Sequence, residues 1–306
     1  MSEIHTSAYS LTSVAALNAV SQKNRHEGVL IRVGDGYGCV HPWPELGDLP
    51  VAEQLDRLRS GRSTPLIAQA LKCAEADGSA RREGRSLFQT PVPKSHWLIL
   101  PGDDPGMAQE QGFGTAKIKI GRNLVEESRV IGDWAAAGFR VRLDANESFS
   151  IDDFLEFWEG LGSLRAAIEW VEDPAKWEPN AWGYLRNKGI PLAVDRELEA
   201  RFEPGDIGVV KPAVSSWIPS DPEKFSVTSY MDHAIGQMWA AVEASRLASG
   251  ELGDRLLSCG LGTHRCFEKD SFFERIQMKG GRIQSPGGTG LGFDDLLEGL
   301  PWKRLT

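Results

Sequence analysis

Thr115-Ala-Lys-Ile-Lys119, Val141-Arg-Leu-Asp-Ala-Asn146, Glu169-Trp-Val-Glu-Asp-Pro174, Leu192-Ala-Val-Asp195 and Val209-Val-Lys-Pro212 decide the fold. Each is a short apolar or β-branched run that carries or ends on an ionisable residue, whereas the interior of a parallel sheet prefers Val, Ile and Leu throughout. Around them lie eight β runs, at 96–100, 116–120, 140–144, 167–172, 191–195, 208–211, 226–229 and 256–260, alternating with helical stretches. That alternation is the mark of consecutive βα units on a parallel sheet, and eight strands suit a barrel. Ile151, Phe154, Leu155, Trp158 and Leu161 form one apolar helix face, with Ser150 placed to cap its start. Leu124, Ile131, Trp134 and Ala135 mark another helix over 124–137, opened by Asn123 and closed by Gly138.

The first ninety residues have a different texture. Residues 28–41 read as a hairpin about Gly34-Asp35-Gly36, followed by a turn-rich stretch from Pro42 to Asp48 and helical patterns at 50–60 and 65–83. The chain therefore divides into an α+β region over 1–92, a barrel over 93–284 and a C-terminal segment over 285–306. Ser285-Pro-Gly-Gly-Thr-Gly-Leu-Gly292 superficially resembles a dinucleotide loop, but its position near the C-terminus favours a plain return loop.

The chain has 306 residues, and 43 acidic side chains against 34 Lys and Arg give a net charge of −9. Such a surface repels phosphate backbones and anionic lipids, so neither nucleic acid nor a membrane is expected as a partner. Cys39, Cys73, Cys259 and Cys266 show no CxxC spacing, no run is long enough to cross a bilayer, and the opening MSEIHTSAYS has no secretory pattern. Reduced thiols and a cytoplasmic location are the expectation.

Lys119, Asp144, Glu172, Asp195 and Lys211 follow one another at separations of 25, 28, 23 and 16 residues, each compatible with one βα unit, the last with a short helix of about two turns. Alternation along a strand puts Lys117 and Lys119 on one face. Taken singly, each residue is ordinary: a Lys-x-Lys pair is usually a solvated face, and an Asp before a turn is usually a cap. Placed together at the C-terminal ends of adjacent barrel strands, where active sites gather, three carboxylates stand between lysines. Oxygen-only donors select a hard cation, Mg²⁺ or Mn²⁺, and a cation together with the lysines offsets the cost of burying three carboxylates.

Lys117-x-Lys119, Asp144-Ala-Asn146, Glu172-Asp-Pro, Asp195 and Lys211-Pro, in this order, resemble the muconate lactonizing enzyme subgroup of the enolase superfamily over most of the chain. Within it, Gly36-Tyr-Gly-Cys-Val-His-Pro-Trp-Pro44 and Val227-Thr-Ser-Tyr-Met-Asp232 with Gly236 are most similar to the o-succinylbenzoate synthase family. The resemblance implies a (β/α)7β modified TIM barrel with an α+β N-terminal cap completed by the C-terminal segment. It implies Mg²⁺ on Asp144, Glu172 and Asp195, with Lys119 as general base and Lys211 facing it across the site. Lys117 and Asn146 would support these groups. The implied reaction is a Mg²⁺-dependent syn-dehydration of 2-succinyl-6-hydroxy-2,4-cyclohexadiene-1-carboxylate to 2-succinylbenzoate in menaquinone biosynthesis.

A doubly anionic small-molecule substrate suits the charge of such a site, since three carboxylates, three lysines and a divalent ion leave a positive excess. His41 and Trp43 of the cap loop are expected to line the barrel mouth, and Ser229 and Asp232 to hold a distal carboxylate or orient Lys211. Two departures from the subgroup stand out: Cys39 replaces a glutamate in the hairpin, and Asp195-Arg196-Glu197 replaces Asp-Glu-Ser, with Glu197 a candidate to stand in for the missing acid. The alternatives are an N-acylamino acid racemase or dipeptide epimerase on the same lysines, and a non-catalytic metabolite-binding barrel.

Overall fold

The structure is a computed structural model that describes residues 3–15, 17, 23–218 and 223–305; Met1 and Ser2 of the opening decapeptide lie outside them. A four-stranded sheet forms the cap: β1 (Ile4–Thr12), β2 (Arg25–Val33), β3 (Gly36–Val40) and, from the far end of the chain, Lys303–Arg304, in the order Lys303–Arg304, β1, β2, β3. All pairings in it are antiparallel, with Ile4 opposite Val33 and Thr12 opposite Arg25. The hairpin lies where the turn signal puts it, but the sequence reading lacks β1, whose His, Thr and Ser residues dilute the apolar alternation.

Helices α1 (Val51–Arg59) and α2 (Pro65–Arg82) follow. The backbone of β3 lies directly on α2: a Cβ at Gly36 would come 1.8 Å from the Ala74 carbonyl oxygen, and one at Gly38 2.2 Å from that of Ala70. Only glycine tolerates so close an approach.

The second sheet carries β4 (Trp97–Leu98), β5 (Thr115–Lys119), β6 (Arg140–Asp144), β7 (Ile168–Glu172), β8 (Leu192–Val194), β9 (Ile207–Val210) and β10 (Lys224–Val227), adjacent in chain order and all parallel. The expected eighth strand is reduced to isolated parallel bridges, Phe225 to Leu256, Thr228 to Gly260 and Ser95 to Cys259, which join β10 back to the segment before β4 and close the barrel.

The connecting helices are α3 (Pro105–Glu110), α4 (Leu124–Ala136), α5 (Ile151–Gly160), α6 (Pro179–Asn187), α7 (Leu198–Arg201) and α8 (Ala234–Ala248). Asn123 and Ser150 cap α4 and α5 by accepting the backbone N–H of Glu126 and Asp153. Leu124 is exposed rather than part of the buried face, because it stands in the first turn, while Ile131 and Trp134 reach the core. At four residues, α7 is shorter than the two turns expected.

The glycine-rich C-terminal stretch is a return loop. Gly290 bridges to Ser86, and the buried pair Asp77 and Arg81 of α2 holds it, Asp77 by the N–H of Leu291 at 2.6 Å and Arg81 by the Gly292 carbonyl at 2.9 Å. Together with the pairing of Lys303–Arg304 to β1, this ties the C-terminal segment to the cap.

Candidate active site

The register of the barrel builds the site. Lys119 lies opposite Asp144 and Asp144 opposite Glu172, one row across three strands, while Asp195 and Lys211 stand one residue beyond β8 and β9. All five, with Lys117 and Asn146, line one cavity of about 260 Å³ at the C-terminal ends of the strands.

Lys117 is nearly inaccessible and donates to two carboxylates, 3.0 Å to Asp144 Oδ2 and 2.7 Å to Glu172 Oε1. Asn146 Nδ2 donates to Asp144 Oδ1 at 2.7 Å, and Lys211 Nζ makes a very short contact with Asp195 Oδ2 while standing 5.5 Å from the centre of the Tyr230 ring.

Burial and charge pull these groups apart. Burial works to lower the Lys117 pKa, but Asp144, Glu172 and Asp195 outweigh it and raise it, so this lysine stays cationic. Burial lowers Lys119, and the Lys117 cation adds to the effect against the opposing pull of Asp144. Asp144 and Glu172 share one cation and respond in opposite directions. Asp144 is held below the usual range because Lys117 and Lys119 overcome its burial, whereas burial, with Asp144 and Asp195 adding to it against Lys117, pushes Glu172 up to about 7.

Among the described residues no three acidic, histidine or cysteine groups are drawn together tightly enough to form a ready-made metal cage. Lys117 stands between two of the carboxylates and Lys211 on the third. Yet Asp195 Oδ1 is buried with no partner, and the donors are carboxylate oxygens already arrayed around cations, a set that matches a hard divalent ion. The residues fit such an ion.

Two of the expected supporting residues, His41 of the mouth and Asp232 beside Lys211, are elsewhere. His41 extends the inward row of Tyr37 and Cys39 on β3, so it is buried in the cap–barrel interface, with Nδ1 2.9 Å from the Tyr9 hydroxyl, and does not line the cavity. Asp232 is also buried away from the cavity and folds back over the first turn of α8, where a Cβ on Gly236 would meet its Oδ2 at 1.9 Å. Trp43 does reach the cavity wall, its indole N–H donating to the Tyr230 carbonyl at 2.8 Å. Ser229 does too, but its hydroxyl is engaged by Thr263 at 2.6 Å and by the Gly260 carbonyl. Glu197 does not stand in for the missing acid; it pairs with Arg201, and Asp173 instead accepts the backbone N–H groups of Asp195 at 3.3 Å and Arg196 at 3.2 Å.

Sequence reasoning missed Arg201, Tyr230 and His96, which line the cavity, and Asp173, which holds the backbone at Asp195. Asp173 was visible only as turn chemistry before Pro174, and its left-handed φ of 43° is what turns the carboxylate toward β8. Tyr230, whose hydroxyl donates to Asp48 at 3.0 Å, gave no spacing signal because its partner lies in the cap.

Residues 4–80 match the o-succinylbenzoate synthase N-terminal domain family, and residues 106–206 match the enolase C-terminal domain-like family. The o-succinylbenzoate synthase of Bdellovibrio bacteriovorus is 37% identical, over 100% of this chain and 99% of that protein. The chain belongs to the o-succinylbenzoate synthase family. Its fold is shared by the dipeptide epimerase of Enterococcus faecalis V583 complexed with Mg and L-Leu-L-Tyr (TM-score 0.73, 17% identity, 95% of this chain and 99% of that one). It is also shared by a mandelate racemase/muconate lactonizing protein from Herpetosiphon aurantiacus (TM-score 0.71, 15% identity, 95% and 97%). These likenesses show the fold, a barrel with a cap.

Proposed function

We propose that this chain is a carbon–oxygen lyase that dehydrates 2-succinyl-6-hydroxy-2,4-cyclohexadiene-1-carboxylate to 2-succinylbenzoate, a step of menaquinone biosynthesis in the cytoplasm. The observation that carries the reading is the full-length relationship to an o-succinylbenzoate synthase together with a half-buried lysine, Lys119, whose pKa is lowered by its surroundings in a cavity rich in other charges. No helix among the described residues is long and apolar enough to cross a membrane.

Asp144, Glu172 and Asp195 would hold a divalent cation, Mg²⁺ or Mn²⁺. When bound, it supplies positive charge beside the substrate carboxylate, where negative charge gathers as the α-proton leaves.

Neutral Lys119 takes the α-proton on Nζ. The carbon–oxygen bond to the ring hydroxyl then breaks, the same Nζ returns its proton to the departing oxygen, and water and an aromatic ring result. One lysine suffices because both groups leave from the same face. Lys211, in contact with Asp195 and 5.5 Å from the centre of the Tyr230 ring, balances the negative charge of the intermediate. Lys117 stays charged and spaces Asp144 from Glu172, and Asn146 orients Asp144.

The test is Lys119→Ala in the Mg²⁺-supplemented protein. The reading predicts abolished formation of 2-succinylbenzoate with divalent-ion binding retained. Turnover equal to wild type would refute it. Exchange and inversion at the α-carbon without dehydration would point to the epimerase chemistry of the fold neighbours instead.

A further inference from the structure

Beside Asp195 the cavity wall changes character. Arg196 and Arg201 both line it, and both reach a single glutamate, Glu147, from the loop after β6: Arg196 Nη1 to Oε2 at 3.0 Å and Arg201 Nη1 to Oε1 at 2.5 Å. The side chains of Glu147 and Arg201 are each only 14% exposed, so this is a built wall rather than a solvated rim. Glu197 also pairs with Arg201, but it stands 69% exposed, where water screens it. Asp173 spends its carboxylate on the backbone N–H groups of Asp195 and Arg196, not on either guanidinium. Two guanidinium groups thus share one sheltered carboxylate, and Nη2 of Arg196 is buried without a partner. A guanidinium N–H shielded from water and left unpaired is costly, and a carboxylate arriving in the cavity satisfies it.

We infer that Arg196 is a specificity-determining residue that receives the second, distal carboxylate of the substrate. The inference rests on the proposed reaction, whose substrate carries one carboxylate on the ring and one at the end of the succinyl chain. The ring carboxylate belongs with the acidic row and its cation. The distal one needs its own donor on the same cavity, whose wall Arg196 lines with Nη1 held by Glu147 and Nη2 without a partner. An arginine fork suits a carboxylate better than a lysine does.

The experiment compares two ligands on the Mg²⁺-supplemented protein by calorimetric titration: 2-succinylbenzoate, and 2-butanoylbenzoate, which keeps the ring carboxylate and ketone but lacks the distal carboxylate. Arg196→Met is expected to weaken 2-succinylbenzoate about 10- to 100-fold, the range for losing a hydrogen bond to a charged group, and to leave 2-butanoylbenzoate within about twofold. Arg196→Lys, which keeps the charge, is expected to recover part of the loss, and in turnover KM should rise more than kcat falls. Equal weakening of both ligands, or no change in either, overturns the assignment. Wild-type protein that binds neither ligand contradicts the proposed reaction itself, a result distinct from a loss confined to the variant.

Discussion

Two buried polar regions of this molecule solve the same problem in opposite ways. At the strand ends Lys117, Asp144, Glu172, Asp195 and Lys211 remain a mosaic of charges, each offset by a neighbour. At the cap–barrel interface Tyr9, Cys39, His41 and His233 are buried without cations, and burial keeps both histidines neutral, with pKa values of about 3. Chemistry needs charge and the ability to move a proton, so the first region pairs its charges. Adhesion between domains needs neither, so the second avoids them. Asp232 belongs with the second region, since burial pushes its pKa to about 7.

The largest effect that separates the two regions is catalytic. Lys119→Ala should lower kcat by at least about 10²–10⁴-fold, the range for a lost general base, with a melting temperature close to wild type. Because Lys119 acts when neutral and its pKa is lowered, kcat/KM should rise with pH through a limb that begins below the range of an exposed lysine. Lys117→Met comes next. It leaves Asp144 and Glu172 buried without their shared cation and should cost about 3–5 kcal/mol in denaturant unfolding without divalent ion. Added Mg²⁺ should recover more stability in this variant than in wild type.

At the interface the expected response is to acid. His41 and His233 protonate in the unfolded chain below about 6.5 but resist protonation in the folded protein down to about 3, so the unfolded state binds more protons and stability falls as pH drops across that window. Asp232 acts in the opposite sense between about 3.8 and 7, because it is protonated earlier when folded. Two histidines against one aspartate leave a net loss from this cluster of about 1.4 kcal/mol per pH unit. His41→Phe should reduce that slope in urea titrations at pH 4 to 6 and leave the turnover of folded protein near wild type, an outcome opposite to that of Lys119→Ala. The smallest effect is Trp43→Phe, which removes the indole hydrogen bond to the Tyr230 carbonyl and should cost about 1 kcal/mol.

How much was legible follows the range of the interactions. The βα alternation, the caps Asn123 and Ser150, and the lysines and acids at strand ends are written in contiguous residues, and the barrel brings those side chains to one cavity. Features set by distant partners were not legible. β1 takes its place by pairing with β2 and with Lys303–Arg304, not by its own periodicity. His41 and Asp232 lie close in sequence to cavity residues, but strand alternation in one case and the close turn at Gly236 in the other send their side chains away. Arg196 finds Glu147 49 residues back along the chain, a contact no local pattern announces.

The most direct test of the account is to follow 2-succinyl-6-hydroxy-2,4-cyclohexadiene-1-carboxylate spectroscopically with the Mg²⁺-supplemented wild-type protein and with Lys119→Ala side by side. The account predicts the absorbance of 2-succinylbenzoate growing with the wild type and absent with the variant. Equal rates from the two proteins, or a wild type that leaves the diene intact, would contradict it.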